Sequence, residues 1–296
     1  MMNRHLPEWL TVRMPRPEAM REVDDMISGA NLHTVCQSAR CPNLPECWST
    51  KKTATFMILG DICTRACGFC AIKTGKPLVV ETDEPKRVAE AAKVLYLKHV
   101  VITSVTRDDL EDGGAGQFAD TIRSIREAIP HAIVEVLTPD FKQIDRSIQL
   151  VVDALPDIYN HNVETVPRLH ALVRPQAKYS RSLNVLKIVK GMNAKIFTKS
   201  GLMLGLGETK DEVVGVLRDL RGIGVDCVTI GQYLRPTMRH LPVAEYIHPD
   251  NFKEYETIGM ELGFSFVASA PLVRSSYNAI EFAKKVMAER LSKVGV

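Results

Sequence analysis

Between Thr53 and Gly263 the chain alternates short apolar runs with longer amphipathic ones, six times in series. The short runs are Thr53–Leu59, Val100–Val105, Ala132–Leu137, Ile158–Val163, Ala194–Leu204 and Cys227–Tyr233. Their length and β-branched content are those of buried strands. Between and after them lie helical patterns: Asp83–Lys98, Gln117–Ile129, Phe141–Leu155, Tyr179–Met192, Lys210–Gly222 and Asn251–Leu262. In the first of these Val88, Ala91, Ala92, Leu95 and Tyr96 make the apolar face and Pro85 suits the first turn. Strands alternating with helices imply a parallel sheet with right-handed crossovers. A full eight-unit barrel takes ~250 residues, and this span holds about 210. The expected fold is therefore α/β, a partial (β/α)6 TIM-like barrel over residues 53–268, with Phe264–Val267 as one more short strand. Residues 1–52 form an N-terminal extension, with a helix over Pro17–Ile27 that aligns Met20, Val23 and Ile27. Residues 269–296 form a C-terminal tail, helical after Arg274, with Ile280, Ala283, Val286 and Met287 on one side.

The chain has seven cysteines, and six fall in two groups of three. Cys63, Cys67 and Cys70 stand at C-x3-C-x2-C just after the first strand. Three clustered thiolates suit an iron–sulfur cluster, because soft sulfur ligands favour iron. A cubane cluster normally takes four protein ligands, so three leave one iron open to chelate a substrate or cofactor. Zinc sites usually want four protein ligands in paired units. Cys36, Cys41 and Cys47 stand at C-x4-C-x5-C, in a stretch broken by Pro42, Asn43 and Pro45. That pattern predicts a loop that wraps a metal, zinc or iron, rather than a helix face. The odd cysteine total, and an N-terminus without an apolar signal region, argue against a secreted disulfide framework. No run approaches the ~18 apolar residues of a membrane span. The expectation is a cytoplasmic, reduced protein. A net charge of +3 is too small to point to nucleic acid, and leaves room for a local basic patch facing an acidic protein partner. Cys227, inside a strand, reads as a buried apolar residue.

In barrels of this kind the chemistry sits at the C-terminal ends of the strands, and the polar motifs fall there. Thr103 and Ser104 end the second strand, before Arg107–Ala115. Glu135 lies in the third, and Asn160, His161, Asn162 and Glu164 crowd the end of the fourth. Gly201–Glu208 follows the fifth, and Gln232 and Tyr233 end the sixth. The glycines of 201–208 lack the lysine of a phosphate loop and instead permit close backbone approach to a ligand. A solvated loop at 107–112 and a satisfied core histidine at His161 are the plainer alternatives.

The C-x3-C-x2-C motif, with aromatic Phe69 before its last cysteine, resembles the signature of radical S-adenosylmethionine (SAM) enzymes. From about Leu32 to Tyr277 the chain resembles the lipoyl synthase family. The particular matches are the C-x4-C-x5-C loop with Cys41-Pro42-Asn43 and Glu46-Cys47-Trp48, then Arg107-Asp108-Asp109-Leu110, Asp112-Gly113-Gly114-Ala115, Asn160-His161-Asn162-Val163-Glu164-Thr165-Val166, Gly231-Gln232-Tyr233-Leu234-Arg235-Pro236-Thr237 and Arg274-Ser275-Ser276-Tyr277. Pro45, Ala66, Gly68 and Thr106 depart from the family's usual residues, and none is an expected ligand. The resemblance implies insertion of sulfur at C6 and C8 of an octanoyl chain amide-linked to a lysine of a lipoyl carrier domain, of the 2-oxoacid dehydrogenase E2 or glycine-cleavage H protein type. It implies two [4Fe–4S] clusters and SAM. Cys63, Cys67 and Cys70 would hold the SAM-binding cluster. Cys36, Cys41 and Cys47 would hold the auxiliary, sulfur-donating one, with Ser276 as fourth ligand and Ser275 as the alternative. By the same analogy Thr103, Ser104 and Asp112 would contact the methionine part of SAM, Glu135 and Asn162 the ribose, and Arg174 the carboxylate. Arg235 and Arg239 would form a positive rim for the carrier, and reduced flavodoxin or ferredoxin would supply electrons. No nucleic acid or membrane is implied. Another two-cluster sulfur-inserting enzyme, of the biotin synthase or methylthiotransferase kind, is the nearest rival. A non-catalytic iron or zinc protein is the rival of a different class.

Overall fold

The computed structural model describes residues 6–11, 17–39, 41, 43–44, 47, 55–276 and 282. The Met20 side chain, Pro42, Pro45, Thr53, Tyr277 and the expected helical face Ile280, Ala283, Val286 and Met287 lie outside the described residues.

The strands in chain order are β1 (His33–Thr34), β2 (Thr55–Ile58), β3 (Ile62–Cys63), β4 (Lys73–Thr74), β5 (His99–Ser104), β6 (Ile133–Leu137), β7 (Ile158–Asn160), β8 (Phe197–Leu204), β9 (Cys227–Gln232) and β10 (Phe266–Ser269). Eight of them make one sheet in the order β1-β2-β5-β6-β7-β8-β9-β10, while β3 and β4 pair by themselves. Every pairing from β2 to β10 is parallel; only β1 runs antiparallel, setting His33 against Met57 and Thr34 against Phe56. The helices are α1 (Pro17–Gly29), α2 (Val35–Ser38), α3 (Glu84–Val94), α4 (Ala115–Ala128), α5 (Asp145–Asp153), α6 (His170–Val173), α7 (Tyr179–Met192), α8 (Lys210–Gly222) and α9 (Pro249–Glu261). The consecutive order of parallel strands, with a helix between neighbours, is that of the expected open barrel, and among the described residues no strand pairs the outer edges of β1 and β10.

Local chemistry sets the helix ends. Thr209 and Glu212 form a reciprocal capping box on α8, and α9 begins at Pro249 after the His248 N-cap. Alternation along the strands buries Phe56, Ile58, Val100, Ile102, Val134 and Val136 among helix residues such as Val88, Ala92, Phe118 and Ile122. Each large apolar side chain buried this way contributes roughly 1.5–3 kcal/mol. Two expectations need correcting. Tyr96 does not share the α3 face: it follows the helix end at φ 52° and is 89% exposed. The third-unit expectation of a helix from Phe141 also starts too early, because Phe141, Lys142 and Gln143 all have positive φ and α5 begins only at Asp145.

The opposite set of strand side chains fills the barrel. At its floor, the N-terminal ends of the strands, Phe282 packs on Ile133, Ile158 and Cys227, the first residues of three strands. It stacks on Phe266 at 5.6 Å and meets Phe197 edge-on at 5.8 Å. Cys227 is thus the buried apolar residue expected of it. Just above lies a buried polar trio. Glu135 Oε1 accepts from Lys199 Nζ at 2.9 Å, and its Oε2 lies 3.2 Å from His99 Nε2. Glu135 is fully buried and Lys199 is 1% exposed. Burial alone would raise the Glu135 carboxyl, but Lys199 and His99 hold it down to about 2.

Candidate metal and cofactor site

The chain leaves β2 through a left-handed turn at Leu59 and Gly60 and enters the loop that carries Cys63, Cys67 and Cys70. Four neighbouring segments hold this loop. The Thr64 amide and hydroxyl both donate to Thr106 O, at 3.0 and 2.9 Å. Arg65 reaches inward, donating to Asp108 through Nε (2.6 Å) and to the buried Asp140 through Nη2 (2.7 Å). The Ala66 amide donates to Gln176 Oε1, and the Gly68 amide to Val173 O. On the far side the Leu241 amide donates to Gly68 O. Cys63 Sγ accepts from the amides of Arg65 and Thr106. Burial pushes the Cys67 thiol up, against the pull of Arg174, and pushes Cys70 up to about 12; Cys63 adds to both, and Cys67 adds to Cys70. Metal uptake here must therefore displace protons.

Polar atoms at the same strand ends lack partners. Ser104 Oγ, Asn162 Oδ1 and Arg174 Nε are buried with no hydrogen bond among the described residues. Such atoms are costly unless a ligand or water completes them. Among the described residues no three His, Cys, Asp or Glu side chains stand close enough for a single ion. A cubane cluster holds its cysteines farther apart than a mononuclear metal does, so three soft thiols beside unfilled donors and acceptors fit an iron–sulfur cluster that carries a polar ligand.

The Asn160–Glu164 stretch contributes most to this side. His161 Nδ1–H donates to Thr138 O at 2.8 Å, and its Nε2 accepts from Ser182 Oγ at 2.9 Å. Burial and the Arg174 charge push the imidazole down to about 4, so it stands neutral. His161 is thus a satisfied core histidine, whose partner Ser182 also accepts from Arg174. Arg174 donates as well to Asn162 O at 2.9 Å. Asn162 Nδ2 donates to Glu164 Oε1 (3.1 Å) and to Ser275 Oγ (2.7 Å). Glu164, at φ 67°, was not singled out as a ligand from sequence. Burial raises its carboxyl and Arg174 opposes that, and its charge acts on Cys67 and Cys70. Its place two residues after Asn162, at a strand end, was the available signal.

Other expected residues are spoken for. Thr103 Oγ donates to Leu137 O, and both Asp112 oxygens cap α4 by accepting from the Gly114 and Gly116 amides. Glu135 is not at the mouth: its carboxylate is taken by Lys199 and His99 below. Phe69 is half-buried against the core. Arg235 is bound to carbonyls of its own loop, and only Arg239 stands exposed.

The first triad sits at the sheet edge. Cys36 lies on α2, a single turn capped by Thr34 where a loop was expected. The Cys41 amide donates to Cys36 O and the Cys47 amide to Asn43 O. Asn43 Nδ2 donates to Leu272 O at 2.6 Å, which ties this stretch to the other end of the chain. Arg274 lies close enough to Cys41 to feel its charge. Gly231 makes room for that segment, since a Cβ there would collide with the Val273 carbonyl. Ser276 is half-buried beside it in sequence.

A family model of the Radical SAM superfamily matches residues 57–220. The chain is 57% identical over 275 residues to lipoyl synthase of Rubrobacter xylanophilus, covering 93% of this chain and 85% of that protein. It is also 57% identical over 284 residues to lipoyl synthase of Caldicellulosiruptor saccharolyticus, covering 96% and 99%. Among solved structures it is similar in fold to methylornithine synthase (TM-score 0.54, 12% identity, 83% of this chain and 82% of that one). A second is Streptococcus suis SuiB bound to S-adenosylmethionine (TM-score 0.58, 11% identity, 79% and 54%).

Proposed function

The chain belongs to the lipoyl synthase family of the Radical SAM superfamily, and from that premise we propose how its own residues divide the work. The reaction is insertion of two sulfur atoms, at C6 and C8 of an octanoyl chain carried on a lysine of a lipoyl carrier protein. These C–H bonds are unactivated, beyond the reach of any acid–base side chain. When bound, SAM on one [4Fe–4S] cluster supplies the hydrogen-abstracting radical after one-electron reduction, and a second [4Fe–4S] cluster supplies the sulfur.

Cys63, Cys67 and Cys70 hold the SAM-binding cluster. Ser104, Asn162 and Arg174 orient SAM through the atoms they leave unpaired, and Glu164 joins Asn162 in that role. The observation that carries this assignment is the meeting, at one barrel mouth, of three thiols and three buried polar atoms without partners among the described residues. Thr103 retains acceptor capacity for the methionine end. Cys36, Cys41 and Cys47 hold the auxiliary cluster with Ser276 as fourth ligand; the Asn43–Leu272 bond supports this, because it brings the C-terminal segment to the triad. The chain then divides into extension (1–52), barrel (53–268) and a tail (269–296) that closes over the auxiliary cluster. Arg239 forms the positive rim for an acidic carrier domain, with Arg235 shaping the loop that presents it. Reduced flavodoxin or ferredoxin is the electron donor, in the cytoplasm. No helix among the described residues is long and apolar enough to cross a membrane.

The test is anaerobic incubation with SAM, a reductant and an octanoyl-lysyl peptide, read by mass spectrometry. A product carrying two added sulfurs is expected. Sulfur at other positions or substrates, with this peptide untouched, would overturn the reading. Ser276→Ala tests the finer claim: SAM cleavage should continue while sulfur insertion fails, and full product yield would retire Ser276 as a ligand.

A further inference from the structure

Residues 233–248 run from the end of β9 to the start of α9 without regular structure. A connection this long within a barrel is uncommon unless it has a task, and this one is pinned throughout. The Tyr233 amide donates to Leu204 O at 2.8 Å, and its hydroxyl to Leu241 O at 2.8 Å. Gln232 Nε2 donates to Leu204 O and Glu245 O, while its Oε1 accepts from the Ile247 amide. The Ala244 amide donates to Gly205 O. Arg235 folds the tip back, Nε donating to His240 O at 2.8 Å and Nη2 to Met238 O at 2.5 Å.

So braced, the strap touches the cysteine loop twice. The Leu241 amide donates to Gly68 O at 3.0 Å, and His240 Nε2 lies 2.9 Å from Cys70 O. A carbonyl only accepts, so Nε2 carries the hydrogen. The other ring nitrogen agrees: the Arg239 amide donates to Thr237 Oγ, which leaves the Thr237 hydroxyl hydrogen for His240 Nδ1 at 2.9 Å. The ring is fixed in one tautomer by its own loop. Gly68 belongs to the same contact, because a Cβ there would stand 2.9 Å from the Leu241 side chain. The glycine that departs from the family's larger residue is the one on which this strap rests.

We propose that His240 is a positioning residue for the SAM-binding cluster. By holding the Cys70 carbonyl it fixes the peptide from which the third cysteine projects, and with Leu241 it makes the strap the outer wall of the cysteine loop. Positioning of this kind counts because a cluster that must present one open iron to a bidentate cofactor tolerates little rotation of its ligands. The inference rests on the reading of Cys63, Cys67 and Cys70 as that cluster's ligands.

The experiment compares holoenzyme carrying His240→Ala, His240→Gln or Thr237→Val with the unaltered enzyme. It reads hydrogen exchange over residues 66–72, iron loss to a chelator, and the electron paramagnetic resonance signal of the reduced cluster with and without SAM. His240→Ala should speed local exchange and iron loss about tenfold, the scale of one net hydrogen bond. It should also alter the SAM-induced change of the resonance signal, with exchange over 99–104 unmoved. The Gln amide can donate from nearly the same place and should restore most of this. Thr237→Val keeps the ring and frees its tautomer, so a smaller effect of the same kind is expected, in a variant that does not depend on His240→Ala folding. Unchanged loop exchange and resonance in His240→Ala, or equal loosening of the whole barrel, would overturn the proposal. A Cys70→Ala control separates the two layers. If it keeps the iron content of the unaltered enzyme, the ligand assignment itself fails; if it loses iron while the His240 variants behave normally, only this inference falls.

Discussion

The two ends of the barrel both bury charge, and they treat it oppositely. At the floor, Glu135 Oε1 is bound by Lys199 Nζ, and its Oε2 faces His99 Nε2 in an ion-pair contact at 3.2 Å rather than an aligned hydrogen bond, with Phe282 sealing the ring below. At the mouth, Arg174, Asn162 and Ser104 each keep a buried atom unmatched, and the thiols of Cys67 and Cys70 are held up by burial. Charges that pair inside the protein specify and stabilise; polar atoms with nothing opposite them are open to a ligand. The lesson is that buried polarity alone does not mark a site. What marks it here is polar atoms with neither a hydrogen bond nor an opposite charge among the described residues, standing beside clustered thiols.

The sharpest way to break this contrast is at the mouth. Replacing Cys63, Cys67 and Cys70 together by alanine should abolish deoxyadenosine formation from SAM while one cluster remains, measured by iron and sulfide content and chromatography. Persistent SAM cleavage would move the cofactor elsewhere. At the floor the expected loss is stability. Glu135→Gln leaves Lys199 a buried, unpaired cation and should cost about 3–5 kcal/mol, read by denaturant unfolding, whereas Glu135→Leu with Lys199→Met should recover most of it. If the single variant is no worse than the double, the floor is not the ion-paired group described.

Acid sharpens the same point. Glu135 has a folded pKa of about 2 against ~4.3 when unfolded, so its contribution is present above the unfolded value and is lost as pH falls toward the folded one. Between about pH 4.5 and 2 the unaltered protein should lose roughly 3 kcal/mol that the Leu/Met variant does not lose. Parallel pH curves for the two would refute the pairing. The smallest expected effect is at Ser104. Its hydroxyl has no partner among the described residues, so Ser104→Ala should leave the unfolding midpoint almost unmoved yet weaken SAM binding by about fivefold to tenfold, the worth of one hydrogen bond. Calorimetric titration with SAM decides it, and loss of stability with unchanged affinity would make Ser104 a floor-type residue after all.

Much of this was legible in the chain. Residue periodicity identified every barrel strand to within a few residues, because each is flanked by helices on one face and an interior on the other. Depth was not legible. Alternation says that Glu135 faces inward, but not that it sits below the strand end, and so it reads as a ligand when its partners are His99 and Lys199, 36 and 64 residues away in sequence. Tyr96 failed for a local reason, since a left-handed residue after α3 turns the helical pattern outward. The two-residue β1 carries too little pattern to see. His240 acts through one hydrogen bond to a backbone carbonyl of the cysteine loop, and Arg235 through bonds to carbonyls of its own loop, which leave no periodicity behind.

The bond from Asn43 to Leu272 spans 229 residues, and that separation has a consequence in time. A growing chain is made at about 5–20 residues per second, so the cysteines at 36, 41 and 47 exist for roughly 10–50 s before the segment that meets them is synthesised. The partners of Cys63, Cys67 and Cys70 up to Leu241 emerge sooner. During its own birth the molecule therefore carries a half-built pocket of sulfur, and the stretch around Leu272 is the one that meets it.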